Sequence, residues 1–529
     1  MRQFTSYGPP DAKADYLAER RDLVENCVSQ LLGRPDEQGG HYFTIWGPRQ
    51  TGKTWIMRQA MKVIRERYGD KFTVGALSMQ GRLDTADGED VFFQCVPGLF
   101  EEGFGFTSDV PTHWDAWRAL FRRKGGLFDK PLILLIDEFD SLPPGVIDRL
   151  VSIFRTMYLA REGYLLHGLA LVGVRAVLGV ESSRGSPFNV QRSMHVPNLK
   201  QDEVVDLFAQ YQSESGQVIE PDVVNAVYES TRGQPGLVGW FGELITEKYN
   251  PGTDKTITMQ DWQRVYSKAL YVEWNNTLLN LGKKAREPYR AEVMRLFTDP
   301  NVPFAMEEPW CSYLYMNGII ENTPAPEGTE IPGEVCRFSS PFVQRRLYSG
   351  FTSDMFGHKG PLPAIEVGDW LDDVFTSTGI CVPKLLERYR GYLKRLREKN
   401  IDPWVGQPRR QDLHYTEAVG HFHLYAWLQN AVAGYRCWVS PEFPTGNGKV
   451  DLVLQTAEQL ALIEVKSLVS MPQLVAARKQ AAVYAKKLGL TEATLVVFAP
   501  TNDDSVLAKL ANETDVDGVQ VTTVPFGWV

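Results

Sequence analysis

Gly47-Pro48-Arg49-Gln50-Thr51-Gly52-Lys53-Thr54 is the stretch on which the fold turns. It has the pattern G-x-x-x-x-G-K-[ST]. Glycines let the backbone wrap tightly, so that successive N–H groups converge on a phosphate at the start of a helix. In such a loop the Lys53 ammonium reaches the β- and γ-phosphates of ATP, and the Thr54 hydroxyl ligates Mg²⁺. A short β-rich run, His41–Trp46, enters the loop, and Thr54–Tyr68 reads as the helix that leaves it. Strand, loop and helix in that order are the context the motif requires.

Downstream, Leu132-Ile133-Leu134-Leu135-Ile136-Asp137-Glu138 is an apolar run closed by two carboxylates. An unbroken apolar run suits a strand buried on both faces of a parallel sheet. At its end Asp137 would hold Mg²⁺ through water, and Glu138 would polarise an attacking water as general base. Phe72–Met79 and Gly168–Val174 read as further strands, and Ser141–Arg161 as a helix. Strands alternating with helices predict an α/β fold, here with a four-strand parallel core. From Asn198 the pattern turns helical, with Gln201–Ser213, Glu220–Ser230 and Leu237–Lys248 as examples of an expected lid.

Further on, Tyr313–Ile320 reads as a helix with a C-cap at Gly318, and Phe338–Val343 as a returning strand. A Pro/Gly/Glu-rich loop, Thr323–Gly333, lies between them, and a winged-helix module is the expectation. The Gly- and Pro-containing stretch 356–380 reads as a linker. A basic helix, Lys384–Lys399, follows. It carries Lys384, Arg388, Arg390, Lys394, Arg395, Arg397 and Lys399 with Tyr389 and Tyr392. Phosphate binding and a solvated helix face stand open for it.

A second constellation lies near the C-terminus. Gly446-Asn447-Gly448-Lys449-Val450-Asp451-Leu452-Val453-Leu454 and Ala461-Leu462-Ile463-Glu464-Val465-Lys466 read as two strands of a hairpin. Glu464 and Lys466 share a face of the second strand. Asp451, thirteen positions before Glu464, can come beside it across the hairpin. Two carboxylates and an ammonium at one point suit metal-assisted phosphodiester hydrolysis. Carboxylate oxygens bind Mg²⁺, the metal lowers the pKa of a bound water, and the lysine stabilises developing charge. A bare acidic-x-Lys triplet also occurs at Asp11-Ala12-Lys13, without strand context. The C-terminal pair has in addition a helix before it, Thr416–Asn430 with Glu417 at its start. Another follows, Ala476–Leu488, with Gln480 and Tyr484 on one face. His421 and His423 read as packed or surface histidines more than as metal ligands.

The 529 residues suggest about three or four domains. The net charge of −9 argues against a chain that coats nucleic acid over its whole surface, and leaves room for one basic groove. The six scattered cysteines form no C-x-x-C pair, so thiols in a reducing compartment are expected rather than a zinc site. No apolar run approaches a membrane span and the first residues lack a signal-peptide core, so a cytoplasmic location without membrane partners is expected.

The region 1–275 resembles the AAA-like, archaeal-type P-loop ATPases. The resemblance lies in the Gly47–Thr54 loop and in Asp137-Glu138-Phe139-Asp140-Ser141-Leu142, which looks like their second motif. Gly233-Gln234-Pro235 looks like the Gly-x-Pro element in the lid of the related STAND ATPases. By position, Arg175 corresponds to a γ-phosphate sensor, where many relatives carry a small polar residue instead. Arg161 corresponds to a site from which a neighbouring subunit can donate an arginine finger, though a solvated helix-end charge is the plainer reading. A homo-oligomer is left open. The region 381–500 resembles the PD-(D/E)xK nuclease superfamily, with Val450 where the family name has proline. By that resemblance Asp451 and Glu464 bind metal, the Val465 carbonyl adds a ligand, and Lys466 is catalytic. Glu417 and Gln480 are second-rank candidates. Both halves together resemble a bacterial family of AAA-like ATPases joined to a C-terminal PD-(D/E)xK domain.

The expected organisation is a P-loop ATPase core over 1–197, a helical lid over 198–275, a winged-helix module over 276–355, a linker over 356–380 and a restriction-endonuclease-like α/β domain over 381–529. The expected function is an ATP-regulated, Mg²⁺-dependent nuclease acting on nucleic acid, DNA before RNA. A role in defence against mobile elements is a guess from the architecture alone. The alternatives are a nucleotide-switched DNA-binding or signalling ATPase whose C-terminal domain does not cleave, and an interaction scaffold without turnover.

Overall fold

The computed structural model describes the chain except residues 1, 7, 9, 35–38, 85–86, 174–191, 298, 300, 326–332, 358–360, 367, 377–378, 408, 410–414, 445–448, 458, 469 and 529, and the side chains of 192, 442–444 and 449–451. The chain forms two compact units. Unit 1 is Met1–Leu281 with Ser312–Ile319 and Ser339–Phe342. Unit 2 is Gly282–Cys311, Ile320–Phe338 and Val343–Val529.

Unit 1 is built on strands β1 (Tyr42–Trp46), β2 (Thr73–Ser78), β3 (Leu132–Asp137), β4 (Leu166–Gly173) and β5 (Arg192–His195). They lie in the order β2-β3-β4-β1-β5, all parallel. The sheet therefore has five strands where the sequence suggested four. β5 reads Arg-Ser-Met-His and carries no apolar run, because only Met194 of this edge strand enters the core. β3 shows why its own run is continuous. Leu132, Leu134 and Ile136 pack with Phe92, Phe100, Trp117 and Phe154 on one face. Ile133 and Leu135 pack with Phe43, Ile45, Ile56 and Ile64 on the other. The helix expected over Ser141–Arg161 is a single turn, Phe139–Ser141, and then a helix, Pro144–Leu159. Proline fits the first turn of a helix but not its interior, so Pro143-Pro144 fixes the start.

Helices Gln201–Ser215, Pro221–Thr231, Pro235–Glu243 and Met259–Tyr271 occupy the stretch expected to be a lid. An N-terminal strap crosses it. Phe4 sits among the rings of Tyr16, Phe208 and Tyr211, with centroids 5.2, 5.1 and 5.4 Å away. Its N–H donates to Glu247 Oε1 (3.0 Å), and Ser6 Oγ donates to Glu243 Oε2 (3.1 Å).

After the helix Pro309–Met316 the chain turns through Gly318, at φ +73°, as its expected capping role requires. A hairpin of β6 (Ile320–Pro324) and β7 (Glu334–Phe338) follows. The strand expected over Phe338–Val343 is not formed: β7 ends at Phe338, and Pro341 opens a helix, Pro341–Phe356. Proline again takes the first helical position and denies the ladder its N–H.

The C-terminal sheet of unit 2 comprises β8 (Trp438–Pro444), β9 (Lys449–Gln455), β10 (Leu460–Ser467), β11 (Glu492–Ala499), β12 (Asn512–Val516) and β13 (Val519–Gly527). Its order is β12-β13-β11-β10-β9-β8. β8, β9 and β10 are antiparallel, while β10, β11 and β13 run parallel. Leu474, Ala477 and Ala481 of the helix Met471–Lys487 pack on Leu462, Leu495 and Val497. On the opposite face the helix Glu417–Ala431 brings Gly420 so near the Phe498 ring that a Cβ there would lie 2.5 Å from it.

The basic helix, observed as Val382–Glu398, engages three of its arginines within the domain. Arg388 is bonded to Asp369 and Asp373, Arg395 to Glu366, and Arg397 to Asn502 Oδ1 and the Gly527 carbonyl. Tyr389 and Tyr392 are buried. The stretch read as a linker thus supplies counter-charges, and its Leu371 and Val374 are buried. His421 and His423 are core residues, each hydrogen-bonded through Nδ1 to a tyrosine hydroxyl, Tyr348 and Tyr389. Among the described residues no helix is long and apolar enough to cross a membrane.

Candidate functional site

The Gly47–Thr54 loop leaves β1 and runs into the helix Lys53–Tyr68. β4 lies between β1 and β3, so the loop and Asp137 stand one strand apart at the same end of the sheet. The gap is closed by one hydrogen bond: Thr54 Oγ1 donates to Asp137 Oδ2 at 2.9 Å. Lys53 Nζ donates to the Gly47 and Pro48 carbonyls (2.8 and 2.6 Å). Burial lowers its pKa to about 8, against the pull of Asp140, Glu138 and Asp137. Gly52 sits at φ +92° with open space where a side chain would be, a cradle only glycine leaves clear. Gln50 holds φ +60°, and Thr51 Oγ1 closes the turn on the Pro48 carbonyl (3.0 Å). Glu138 also has a left-handed backbone, φ +54°. Its carboxyl pKa is raised, first by desolvation and then by Asp137 and Asp140. That shift suits a group that must take a proton. The donors, the open cradle and the Thr54–Asp137 pair fit a nucleotide phosphate with Mg²⁺.

Sequence reasoning missed the residues that brace this loop. Arg20, almost wholly buried, donates to the Thr51, Pro197 and Asn198 carbonyls (3.1, 2.7 and 3.2 Å). Gln50 Nε2 donates to the Ser6 carbonyl (2.9 Å). Thr5, Tyr16, Gln50, Trp55 and Gly236 line part of a pocket of about 130 Å³ beside the loop. No motif announces the strap, although the run Tyr16-Leu17-Ala18 ahead of the first helix is a weak apolar signal. The Gly-x-Pro element is seated as its residues require. Gly233 has φ +70°, and a Cβ there would lie 1.9 Å from the Leu199 carbonyl oxygen. Gln234 caps the helix Pro235–Glu243 and donates to the Arg49 carbonyl (3.2 Å). Arg161 is neither extended nor simply solvated. Its guanidinium lies 3.9 Å from the Tyr158 ring centroid and donates to the Gly40 carbonyl (2.6 Å). Arg175 lies outside the described residues.

In unit 2, Lys466 Nζ lies 2.9 Å from Glu464 Oε1 and 3.1 Å from Glu417 Oε1. The Glu464 side chain is 1% exposed. Residues 49 apart in sequence, Glu417 and Lys466, are joined because the helix Glu417–Ala431 starts beside the end of β10. Both line a cleft of about 270 Å³ with Gln473, Ala477, Gln480 and Val497. Gln480 donates to the Tyr484 hydroxyl (2.9 Å), one helical turn on. The β9–β10 register pairs Leu452 with Ile463, and its next step falls on Asp451 and Glu464. The Asp451 side chain lies outside the described residues, as do Gly446 to Gly448. Val465 is central in β10 and buried. Among the described residues no group of three or more His, Cys, Asp or Glu side chains is set to hold a metal.

No protein-family model matches the chain, and no curated protein matches it. Solved structures do. A Walker-type ATPase of Pyrococcus abyssi is 13% identical, over 65% of this chain and 99% of its own, with a TM-score of 0.41. The Holliday junction branch migration motor RuvB of Thermotoga maritima is 15% identical, over 62% and 95%, with a TM-score of 0.33. Cdc6p of Pyrobaculum aerophilum is 14% identical, over 66% and 97%, with a TM-score of 0.37. Unit 1 itself shows a five-strand parallel order, with the Gly47–Thr54 loop and the strand-end carboxylates at the same end of the sheet.

Proposed function

We propose that the chain binds and hydrolyses ATP in unit 1, and that nucleotide state regulates a Mg²⁺-dependent nuclease site on the C-terminal sheet. Lys53, Thr54 and Asp137 would hold the phosphates and their Mg²⁺, which neutralises charge developing on the γ-phosphate. Glu138 takes the proton of the attacking water. In the C-terminal domain Asp451, Glu464 and the Val465 carbonyl would hold a second Mg²⁺, which activates water and screens the scissile phosphate. Lys466 then stabilises the charged phosphate, and Glu417 keeps the ammonium aimed at the cleft. The winged-helix reading of 276–355 gains support from the helix–hairpin–helix order, and DNA is the favoured substrate.

The observation that carries the reading is Lys466 held between Glu464 and Glu417 at an open cleft, in a chain with a complete phosphate loop. Incubation with DNA, Mg²⁺ and ATP tests it: wild type is expected to cut and Lys466→Ala to be inert. Equal cleavage by both would overturn the site.

One observation favours a second reading, a nucleotide-switched ATPase whose C-terminal domain does not cleave. Arg388, Arg395 and Arg397 are engaged within the domain, which takes three of the seven basic side chains of the helix away from a phosphate backbone. DNA retention by an uncut complex, unchanged in Lys466→Ala, would support this alternative.

A further inference from the structure

The hairpin β6–β7 is flanked in sequence by two short segments, Ser312–Ile319 and Ser339–Phe342, that both belong to unit 1. Each rests on a different part of the nucleotide site. In the first, Gly318 approaches the phosphate loop so closely that a Cβ would come 2.7 Å from Pro48 Cβ. The Tyr315 ring lies 6.0 Å from Trp46 and 6.4 Å from His195, and those two rings are 4.3 Å apart. Trp46 is the last residue of β1, and Pro48 is the loop residue whose carbonyl holds the Lys53 ammonium. In the second segment, the Phe342 ring packs on Trp240, Phe241 and Tyr266, with centroids 6.0, 5.0 and 5.5 Å away. Trp240 and Phe241 belong to the helix capped by Gln234, which itself bonds the loop at Arg49.

The incoming stem of the hairpin is thus seated on the loop and the outgoing stem on the lid. No slack separates stems from strands: Ile319 runs straight into β6 at Ile320, and β7 ends at Phe338, next to Ser339. A bound phosphate competes with the Gly47 and Pro48 carbonyls for the Lys53 ammonium, because its oxygens carry a full negative charge and the carbonyls do not. Release of Pro48 changes the seat of Gly318. A shift of the lid against the loop changes the seat of Phe342.

We propose that the two stems carry nucleotide occupancy of the loop to the β6–β7 hairpin, with Tyr315, Gly318 and Phe342 as positioning residues. The proposal rests on the nucleotide-binding reading above. It is tested on the full chain by hydrogen–deuterium exchange, with and without Mg²⁺ and a non-hydrolysable ATP analogue. Binding of a fluorescent ATP analogue is measured on the same samples. In wild type, nucleotide is expected to change exchange at the hairpin strands by about threefold or more. Tyr315→Ala and Phe342→Ala are expected to bind nucleotide within about threefold of wild type and to lose that response. Tyr315→Phe keeps the ring and is expected to keep the response, which a merely structural loss would not distinguish. If Phe342→Ala does not fold, Phe342→Leu takes its place. Wild type that binds nucleotide with hairpin exchange unchanged overturns the coupling. A response that survives in both alanine variants overturns it too. Absence of nucleotide binding is a separate result, which removes the reading of the loop and the coupling with it.

Discussion

The two carboxylate sites of the molecule are assembled in opposite ways. In unit 1 Asp137 and Glu138 end a strand, and Glu138 reaches the surface although its carboxyl is partly desolvated. Asp137 is joined to the loop by a neutral hydroxyl, and the site is shaped by backbone: Gln50, Gly52 and Glu138 all hold positive φ. In the C-terminal sheet Glu464 sits inside a strand, enclosed, with Lys466 beside it. Taking such a pair out of water costs more than packing two apolar residues of similar size. The first site stores its readiness in conformation, the second in buried charge.

Mutation can break or sharpen this contrast. Its largest expected effect is in turnover. Glu138→Gln should lower ATP hydrolysis about 10²–10⁴-fold with nucleotide affinity nearly unchanged, as steady-state rates and a binding titration would show. Unchanged turnover would leave the strand-end carboxylates without a catalytic role. Next, Lys466→Ala should destabilise the C-terminal domain by about 1–3 kcal/mol, because Glu464 loses its buried partner while Lys466 itself is partly exposed. The pair change Glu464→Leu with Lys466→Met should recover most of that loss. Urea unfolding followed for unit 2 reads both, and Glu138→Gln should move the same curve by less than about 0.5 kcal/mol.

A pH titration probes the loop more finely. Lys53 has a pKa of about 8 in the folded chain, below the ordinary lysine value. Its charge is therefore present at pH 7 and is lost as pH rises through about 8. Nucleotide affinity should weaken above that pH, by up to about tenfold per unit, and binding near pH 8.5 should take up protons. Calorimetry in two buffers of different ionisation heat measures the uptake, and none would mean that the lysine stays charged. The smallest effect is expected at Arg388→Ala, about 1 kcal/mol of domain stability. The salt dependence of any DNA binding should stay as in wild type. A flatter salt dependence would assign Arg388 to the nucleic acid instead.

The loop was legible because its chemistry is contiguous: eight neighbouring residues carry the glycines, the lysine and the hydroxyl. β3 was legible because both of its faces are buried, which forces an unbroken apolar run. β5 was not, since in Arg-Ser-Met-His only Met194 enters the core, and one apolar residue makes no run. The extent of the helix after β3 was overread because its period continues across Ser141, while Pro143 and Pro144 set the real start. The Glu464–Lys466 pair follows from strand alternation, but Glu417 beside them depends on where a helix begins across the sheet. The strap was illegible for a similar reason. Phe4 and Ser6 find their partners more than two hundred residues away, and no local pattern encodes such a distance.

That distance has a consequence for the order in which the molecule can be made. A chain emerging from the ribosome completes the phosphate loop early, yet Phe4 cannot be enclosed until Phe208, Tyr211 and Glu247 exist. Until then the strap waits outside, and Gln50 lacks the seated Ser6 carbonyl that accepts its hydrogen bond. The loop is written at residue 47, but the strap that braces it is seated only once residue 247 exists, so a half-made chain lacks that brace.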